Sequence, residues 1–456
     1  MEQKWGSYTV GKVLGKGMYG EVRMATSASG ELFAIKHFFT RGGDISSVEE
    51  IAIALQASHP NIIQAVEYFY EGEEDYLVME LADTNLESYV FSTFPSNEER
   101  IRLFYQLVSA VTYLQDNGFY HCDIKPVNVL VSNGQVKLGD LGLTKYKNVM
   151  RHTCQTFSSP QTAKTNYRSS IISVKIEQDV QDIFSQPTNN FINDVWALGI
   201  TFVFLLTGRI LFYDVEEAQE VVDSLQAYVR NPKDYLLQNA LPEEWLPLVL
   251  QMLEPRADLR LPLARDILLQ PEFVSRGLYQ PVSGSASVFY NLPLYESSNT
   301  SLKKAADWMK KVMDEEQENS FVVHAAITCF YYMVRYLTTD PKVVKKVTLL
   351  VSACIVLMSS VYSIQPISSN TMIYLSGGTF TPEQISREQR RIMVKMQGKL
   401  YFNILPKLAF SELAVEKSTA LLLDSSRYLV TNLQTFMDQL AEEETIQERN
   451  NRRPVW

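Results

Sequence analysis

The stretch that most restricts what this chain can become is His121-Cys122-Asp123-Ile124-Lys125-Pro126-Val127-Asn128, followed by Val129-Leu130-Val131 and then by Lys137-Leu138-Gly139-Asp140-Leu141-Gly142. Two short apolar runs read as the arms of a hairpin, and two carboxylates and an amide fall around it. Asp or Asn in a hairpin is ordinarily a turn former, and either residue alone would be read so. The combination carries more. Phosphoryl transfer needs a base near the attacking hydroxyl, hard oxygen ligands for magnesium, and a cation on the transferring phosphate. Asp123, the pair Asn128 and Asp140, and Lys125 are the matching residue types.

A second set lies nearer the N-terminus. Gly15-Lys16-Gly17-Met18-Tyr19-Gly20-Glu21-Val22 sits between two strand-like runs, where a turn without Cβ atoms lets backbone N–H groups approach phosphates. A dinucleotide-binding loop would be followed by a helix, but Val22-Arg23-Met24-Ala25 reads as another strand, which disfavours that alternative. Phe33-Ala34-Ile35-Lys36 ends an apolar strand on a lysine, and Glu50 in a helix-like stretch from Ile45 to Ala57 is a candidate to pair with it. Read singly, these are a surface lysine and a solvated helix carboxylate.

Around these motifs the periodicity changes. Residues 8–79 read as strands interrupted by one helix. From Asn97 the spacing becomes helical, with Ile101, Phe104, Tyr105, Leu107, Val108, Val111 and Leu114 three and four apart, and this region runs to about Phe273. Residues 277–299 are rich in Ser, Gly, Pro, Tyr and Asn without a sustained period and read as a linker; Leu302 to Leu440 is helical by pattern, and 441–456 is a charged tail. The polar stretch between Tyr167 and Asn193, with Gln186-Pro187-Thr188-Asn189-Asn190, is expected to be a surface loop.

Taken together and in this order, the motifs resemble those of the eukaryotic-type protein kinases over residues 1–276. The resemblance implies an α+β bilobal protein kinase fold, with a β-rich N-lobe (1–81) and a helical C-lobe (82–276). It implies an ATP- and Mg2+-dependent transfer of the γ-phosphoryl group to protein hydroxyls. By the same resemblance, Gly15, Gly17, Gly20, Val22 and Ala34 cover the nucleotide, and Lys36 holds the α- and β-phosphates while pairing with Glu50. Met79 is the gatekeeper, the backbone of Glu80 and Ala82 faces adenine, Asp123 is the catalytic base, and Asn128 and Asp140 hold the metal. Lys125, two places after Asp123, is similar to serine/threonine rather than tyrosine kinases. Asp194 in Asp194-Val195-Trp196-Ala197-Leu198-Gly199 resembles the aspartate that braces the catalytic loop. Ser46-Ser47-Val48-Glu49-Glu50-Ile51, His59-Pro60-Asn61-Ile62-Ile63 and Asn85-Leu86 resemble cyclin-dependent kinases in particular.

The departures from that pattern are informative. Cys122 stands where arginine is usual, removing the family's device for reading a phosphate on the activation segment. Leu141 replaces phenylalanine after the metal aspartate and is expected to pack. The segment's closing motif is degraded, with Ser159-Pro160-Gln161 and Ser169-Ser170-Ile171 as candidates that both lack the glutamate. Arg260 resembles that glutamate's partner, and a buried guanidinium left alone costs about 3–5 kcal/mol, so another partner or exposure to water is expected.

The later helices resemble a cyclin box over about residues 300–405, on Ala306-Asp307-Trp308-Met309, the apolar helix from Val347 to Met358, and Thr379-Phe380-Thr381-Pro382-Glu383-Gln384-Ile385. The signature lysine and glutamate of cyclins are replaced by Ser360 and Gln389. An all-α cyclin-like domain (300–440) is therefore expected to dock on the kinase lobe in cis and fix the Glu50 helix. Two alternatives stand beside this reading: a pseudokinase scaffold, and a cyclin-like module that redirects a separate kinase in trans.

Composition narrows the rest. A formal net charge of -10 argues against a nucleic-acid reader. The apolar run from Val347 to Ile364 is at the lower limit of about 17 residues for a membrane span, is diluted by serines, and is expected to be a core helix. Cys122, Cys154, Cys329 and Cys354 are too dispersed for a disulfide framework or a zinc site. With no secretion signal evident in Met1 to Val10, the expectation is an intracellular protein, cytoplasmic or nuclear, acting on protein substrates without nucleic-acid or membrane partners.

Overall fold

The structure, a computed structural model, describes residues 3–17, 20–39, 47–146, 190–212, 218–277, 287–288, 300–318, 320–334, 343–363 and 365–401. Both candidates for the closing motif of the activation segment, most of the 277–299 linker, Cys154, the helices expected near Ser411 to Leu440 and the charged tail lie outside the described residues. Two compact units are formed. One contains residues 1–56, 66–78 and 289–456, and the other residues 57–65 and 79–288.

In the first unit, six strands form one sheet in the order β1 (Lys4–Trp5), β2 (Tyr8–Lys16), β3 (Gly20–Thr26), β4 (Leu32–Phe38), β6 (Glu74–Glu80), β5 (Ala65–Glu71). The first four pair antiparallel with their sequence neighbours. Trp5, Tyr8, Ala25, Ile35, Tyr76 and Val78 make a core on this sheet, with Phe33 and Phe69 packed against it. These aromatic and β-branched residues suit a pleated, half-buried surface. The helix α1 (Val48–Gln56) follows β4, within the stretch expected to be helical. It buries Val48, Glu50, Ile51, Ala52, Ile53 and Ala54, which leaves almost no solvent-facing side. A helix apolar on nearly every face must be enclosed.

The enclosure comes from the C-terminal part of the same unit. Five helices are described there: α10 (Thr300–Glu315), α11 (Ser320–Val334), α12 (Val343–Tyr362), α13 (Ser369–Leu375) and α14 (Pro382–Lys395). The helix α12 packs against α11 and α14 and also against α1. Leu350, Val351, Cys354, Ile355, Leu357 and Met358 are buried, as are Ser352 and Ser359, so the long apolar run is a core helix. No helix among the described residues is long and apolar enough to cross a membrane. The helix α14 opens on a reciprocal cap. Thr381 Oγ1 accepts from the Gln384 N–H at 3.4 Å, Gln384 Oε1 accepts from the Thr381 N–H at 3.0 Å, and Pro382 occupies the first helical position.

The second unit is mainly helical. The helix α3 (Asn97–Asp116) starts at the Ser96 cap and buries Ile101, Phe104, Leu107, Val108, Val111 and Leu114, the residues whose spacing predicts it, while Tyr105 is only half-buried. It packs on α4 (Asn190–Thr207), where Phe104 stacks on Phe202 at 4.0 Å, and on α8 (Ala264–Leu268). The start of α4 at Asn190 lies inside the stretch expected to be a polar loop, because Phe191, Ile192 and Val195 already belong to an apolar helical period. The hairpin of β9 (Val129–Ser132) and β10 (Gln135–Leu138) forms with β7 (Thr84–Asn85) a sheet in the order β10-β9-β7.

Candidate active site

The residues singled out from the sequence fall into two groups, one in each compact unit. Gly15, Gly17, Gly20, Val22, Ala34, Lys36 and Glu50 belong to the first; Met79, Glu80, Ala82, Asp123, Lys125, Asn128 and Asp140 belong to the second.

In the first group, Lys36 near the end of β4 forms an ion pair with Glu50 of α1, and both side chains are largely buried. The ammonium also lies 5.2 Å from the centre of the Phe38 ring. Burial of both charges makes each depend on the other, so this pair fixes α1 to the sheet. The three glycines differ in their surroundings. Among the described residues, an added Cβ at Gly15 or Gly17 would meet nothing within 4 Å, whereas at Gly20 it would come within 2.3 Å of the His37 carbonyl oxygen on the neighbouring strand. Gly20 is thus required by strand packing. Gly15 and Gly17 leave open space beside the backbone.

In the second group the catalytic-loop sequence is held from three directions. The buried Asp194 carboxylate of α4 accepts from the His121 N–H at 2.8 Å and the Cys122 N–H at 3.0 Å. His121 is fully buried; its Nδ1 accepts from the Asp123 N–H at 3.2 Å, and its Nε2 donates to the Gly139 carbonyl at 3.0 Å. The Gly139 N–H in turn donates to the Asn128 carbonyl at 3.0 Å. One imidazole thereby ties the backbone before Asp123 to the backbone before Asp140. Cys122 and Asp140 take left-handed backbone, at φ 66 and 49. For a residue other than glycine this costs on the order of 1 kcal/mol or more and persists only where surrounding bonds impose it.

Lys125 Nζ donates to both Asp123 oxygens, at 3.0 and 2.8 Å. Asn128 Nδ2 donates to the Asp123 carbonyl at 2.9 Å and to Asp123 Oδ2 at 2.8 Å. With its nitrogen committed there, the Asn128 amide has its oxygen as the remaining ligand atom. Asp140 is exposed. A carboxylate and an amide oxygen are the hard donors a magnesium ion takes from protein while phosphates and water fill its other positions, so the residues fit that ion. Among the described residues no group of three or more His, Cys, Asp or Glu forms a self-sufficient metal cage. Glu80 is held by Gln64 and Lys137: its N–H donates to the Gln64 carbonyl at 2.9 Å, and its carboxylate accepts from Lys137 Nζ at 2.9 Å. Met79, Glu80 and Ala82 are each half-buried.

Two of the departures are resolved by the packing. Leu141 is 3% exposed and packs as expected. Arg260 is buried and finds partners in backbone: Nε donates to the Glu254 carbonyl at 2.8 Å, Nη1 to Ile192 at 3.2 Å and Nη2 to Pro255 at 3.3 Å, while the guanidinium lies 4.7 Å from the Trp196 ring centre.

Residues 8–273, more than half of the chain, match the protein kinase domain. The chain belongs to the protein kinase family. Residues 290–401 of this kinase match the N-terminal domain of cyclins. Its relatives include CBL-interacting protein kinase 21 of Oryza sativa subsp. japonica, 30% identical over 244 residues, which are 50% of this chain and 43% of that protein. CBL-interacting serine/threonine-protein kinase 19 of Arabidopsis thaliana is 29% identical over 272 residues, 56% and 51% of the two chains. Putative serine/threonine-protein kinase L673 of Acanthamoeba polyphaga mimivirus is 28% identical over 215 residues, 46% and 37%. The kinase spans about half the length, or less, of these curated relatives. Each of these relatives is named as a protein kinase, two of them as serine/threonine kinases.

Sequence reasoning did not find Asp75, Arg390, Gln56 or Tyr401, which join the cyclin-like segment to the strand-rich lobe. Arg390 of α14 pairs with Asp75 of β6 at 2.9 Å, both buried. Gln56, at the end of α1, donates from Nε2 to the Tyr401 carbonyl at 3.0 Å and accepts at Oε1 from the Tyr401 N–H at 2.8 Å. One signal was present: Arg390 lies four residues after the buried Ser386 and three before the buried Met393, a charge on a core-facing stripe.

Proposed function

We propose that this chain is an ATP- and Mg2+-dependent serine/threonine kinase acting on protein substrates, with its own cyclin-like segment bracing α1 in cis. The observation that carries the reading is the formed Lys36–Glu50 pair on a helix whose far end is clasped through Gln56 by Tyr401. A lysine so held presents a fixed ammonium to phosphate oxygens, and a helix so enclosed does not swing the glutamate away.

The loop geometry supports the other roles. Asp123, oriented by Lys125 and Asn128, receives the proton of the substrate hydroxyl as that oxygen attacks the γ-phosphorus and the bond from that phosphorus to the bridging β-phosphate oxygen breaks, with ADP as the leaving group. Lys125 holds charge that builds on the transferring phosphoryl oxygens, and Gly15 and Gly17 leave room for the phosphates beside the β2–β3 turn. Asn128 and Asp140 would hold magnesium, which supplies positive charge to the phosphate oxygens when bound. Cys122 in place of arginine supports a switch other than phosphorylation of the activation segment. Phosphate transfer from labelled ATP to a mixed protein substrate by the wild-type chain, beside Asp123→Asn, tests the reading. Equal transfer by the two proteins would refute it.

A further inference from the structure

The helix α14 carries Arg390 where an apolar residue would be ordinary. Its Nε donates to Asp75 Oδ1 and Oδ2 at 3.0 and 3.2 Å, and its Nη2 donates to Asp75 Oδ2 at 2.9 Å and to the Glu73 carbonyl at 2.6 Å. Tyr68 of β5 donates its hydroxyl to Asp75 Oδ1 at 2.6 Å. The side chains of Arg390 and Asp75 are 2% and 5% exposed. The carboxylate is thus saturated from two sides, by a guanidinium reaching it from 315 residues away in sequence and by a tyrosine of its own sheet.

Burying two charges is expensive, and a fork geometry offsets that cost without a large surplus. The cost is not symmetrical between partners. A cyclin-like helix with an apolar residue at this place would leave the buried Asp75 charge without a counter-cation, held only by the Tyr68 hydroxyl, and a lobe with an apolar residue at position 75 would leave the Arg390 charge without a counter-anion, held only by the Glu73 carbonyl. Either mismatch is penalised far more than the matched pair is rewarded, which is the signature of selectivity rather than affinity. The shape of the contact points the same way. Gly398 has φ +67, and a Cβ there would stand 2.2 Å from Leu55 Cδ1 of α1, so a larger residue in this turn would strain its backbone and push that leucine aside.

We propose that the Asp75–Arg390 pair is a selectivity determinant that reserves the cyclin-like segment for this chain's own strand-rich lobe, rejecting other kinase lobes and other cyclin-like modules. The inference rests on the reading that residues 290–401 brace α1 in cis. It goes further by naming what makes that bracing exclusive. Arg390 and Asp75 touch no reacting atom; they are positioning residues.

Hydrogen exchange of the full chain tests this without requiring turnover. Asp75→Arg and Arg390→Asp are compared with wild type, with the double reversal, and with an uncharged pair, Asp75→Leu with Arg390→Met. The peptides followed are α1 and α14, with α3 of the other compact unit as the internal reference. Each single reversal is expected to speed exchange in α1 and α14 by about tenfold or more, corresponding to roughly 1.4 kcal/mol of lost protection. At least one double variant is expected to restore it to within a few-fold. Single variants as protected as wild type would overturn the proposal. So would loss of protection that neither double repairs, because the two residues would then act separately, and this holds even if a single variant also loosens α3. A wild type with the expected exchange pattern but no phosphate transfer would sink the activity and leave the selectivity standing.

Discussion

His121 engages both ring nitrogens with backbone, which makes the geometry of Asp123 and Asp140 a single problem solved by one side chain. The acids themselves are separable by experiment. Asp123→Asn should lower turnover by about 10²–10⁴-fold with nucleotide affinity nearly unchanged, since a general base acts in the transition state. Asp140→Asn should weaken magnesium-dependent nucleotide binding itself, read by titrating nucleotide with and without the metal. A third residue offers a pH test. Burial, with the Lys137 ammonium adding to it, holds the His59 imidazole down to about 4 from 6.5. Its Nδ1 accepts from the Asn61 N–H at 3.1 Å. The unfolded chain takes up this proton as pH falls below 6.5, whereas the folded chain resists until about 4. Stability should therefore be intact above 6.5 and lost between 6.5 and 4, by on the order of 1–2 kcal/mol after screening. Urea midpoints for wild type and His59→Gln at pH 7 and pH 4.5 check this, and an equal drop in both would remove His59 as a cause.

At the scale of elements, α4 works as a post to which loops are tied. It provides Asp194 to the His121 and Cys122 amides, and its Ile192 carbonyl receives one arm of Arg260. The Arg260 guanidinium donates to three backbone carbonyls and lies on a tryptophan face, as a planar donor fork allows. Asp194→Ala should cost about 1–3 kcal/mol for each N–H left without its partner. Thermal unfolding would register that loss, and activity should fall further than stability because Cys122 is free to leave its left-handed backbone. An unchanged melting temperature would mean that other contacts hold the loop.

At the scale of the molecule, the notable division is that the strand-rich lobe shares a compact unit with a segment more than 200 residues further along the chain. The helix α1 is apolar on nearly all sides, so without α12 and the Gly398–Tyr401 turn it would expose Ile and Ala faces to water. Gly398→Ala should accordingly loosen α1 and lower phosphate transfer several-fold, because the new Cβ meets Leu55 and an alanine at positive φ adds about 1 kcal/mol of strain. Combining it with Leu55→Ala should return part of the activity. Equal activity in Gly398→Ala and wild type would detach the cyclin-like segment from regulation.

The sequence by itself determined the kinase motifs, the fold class and the core character of α12. Each of these is written in local spacing: a glycine turn between strands, an Asp and an Asn five residues apart, an apolar period of three and four. Its local signals could also mark Arg390 as a charge on a buried stripe, but not what it meets. Asp75 is an ordinary acid near a hairpin turn, and Gln56 an ordinary amide at a helix end. Tertiary structure alone decided that these residues face Arg390 and Tyr401, that Arg260 rests on carbonyls, and that Gly20 serves packing while Gly15 and Gly17 leave open space. The reason is physical. Local backbone preference acts over a few residues, whereas the partner of a buried charge is chosen by desolvation, which depends on whatever distant chain arrives to exclude water.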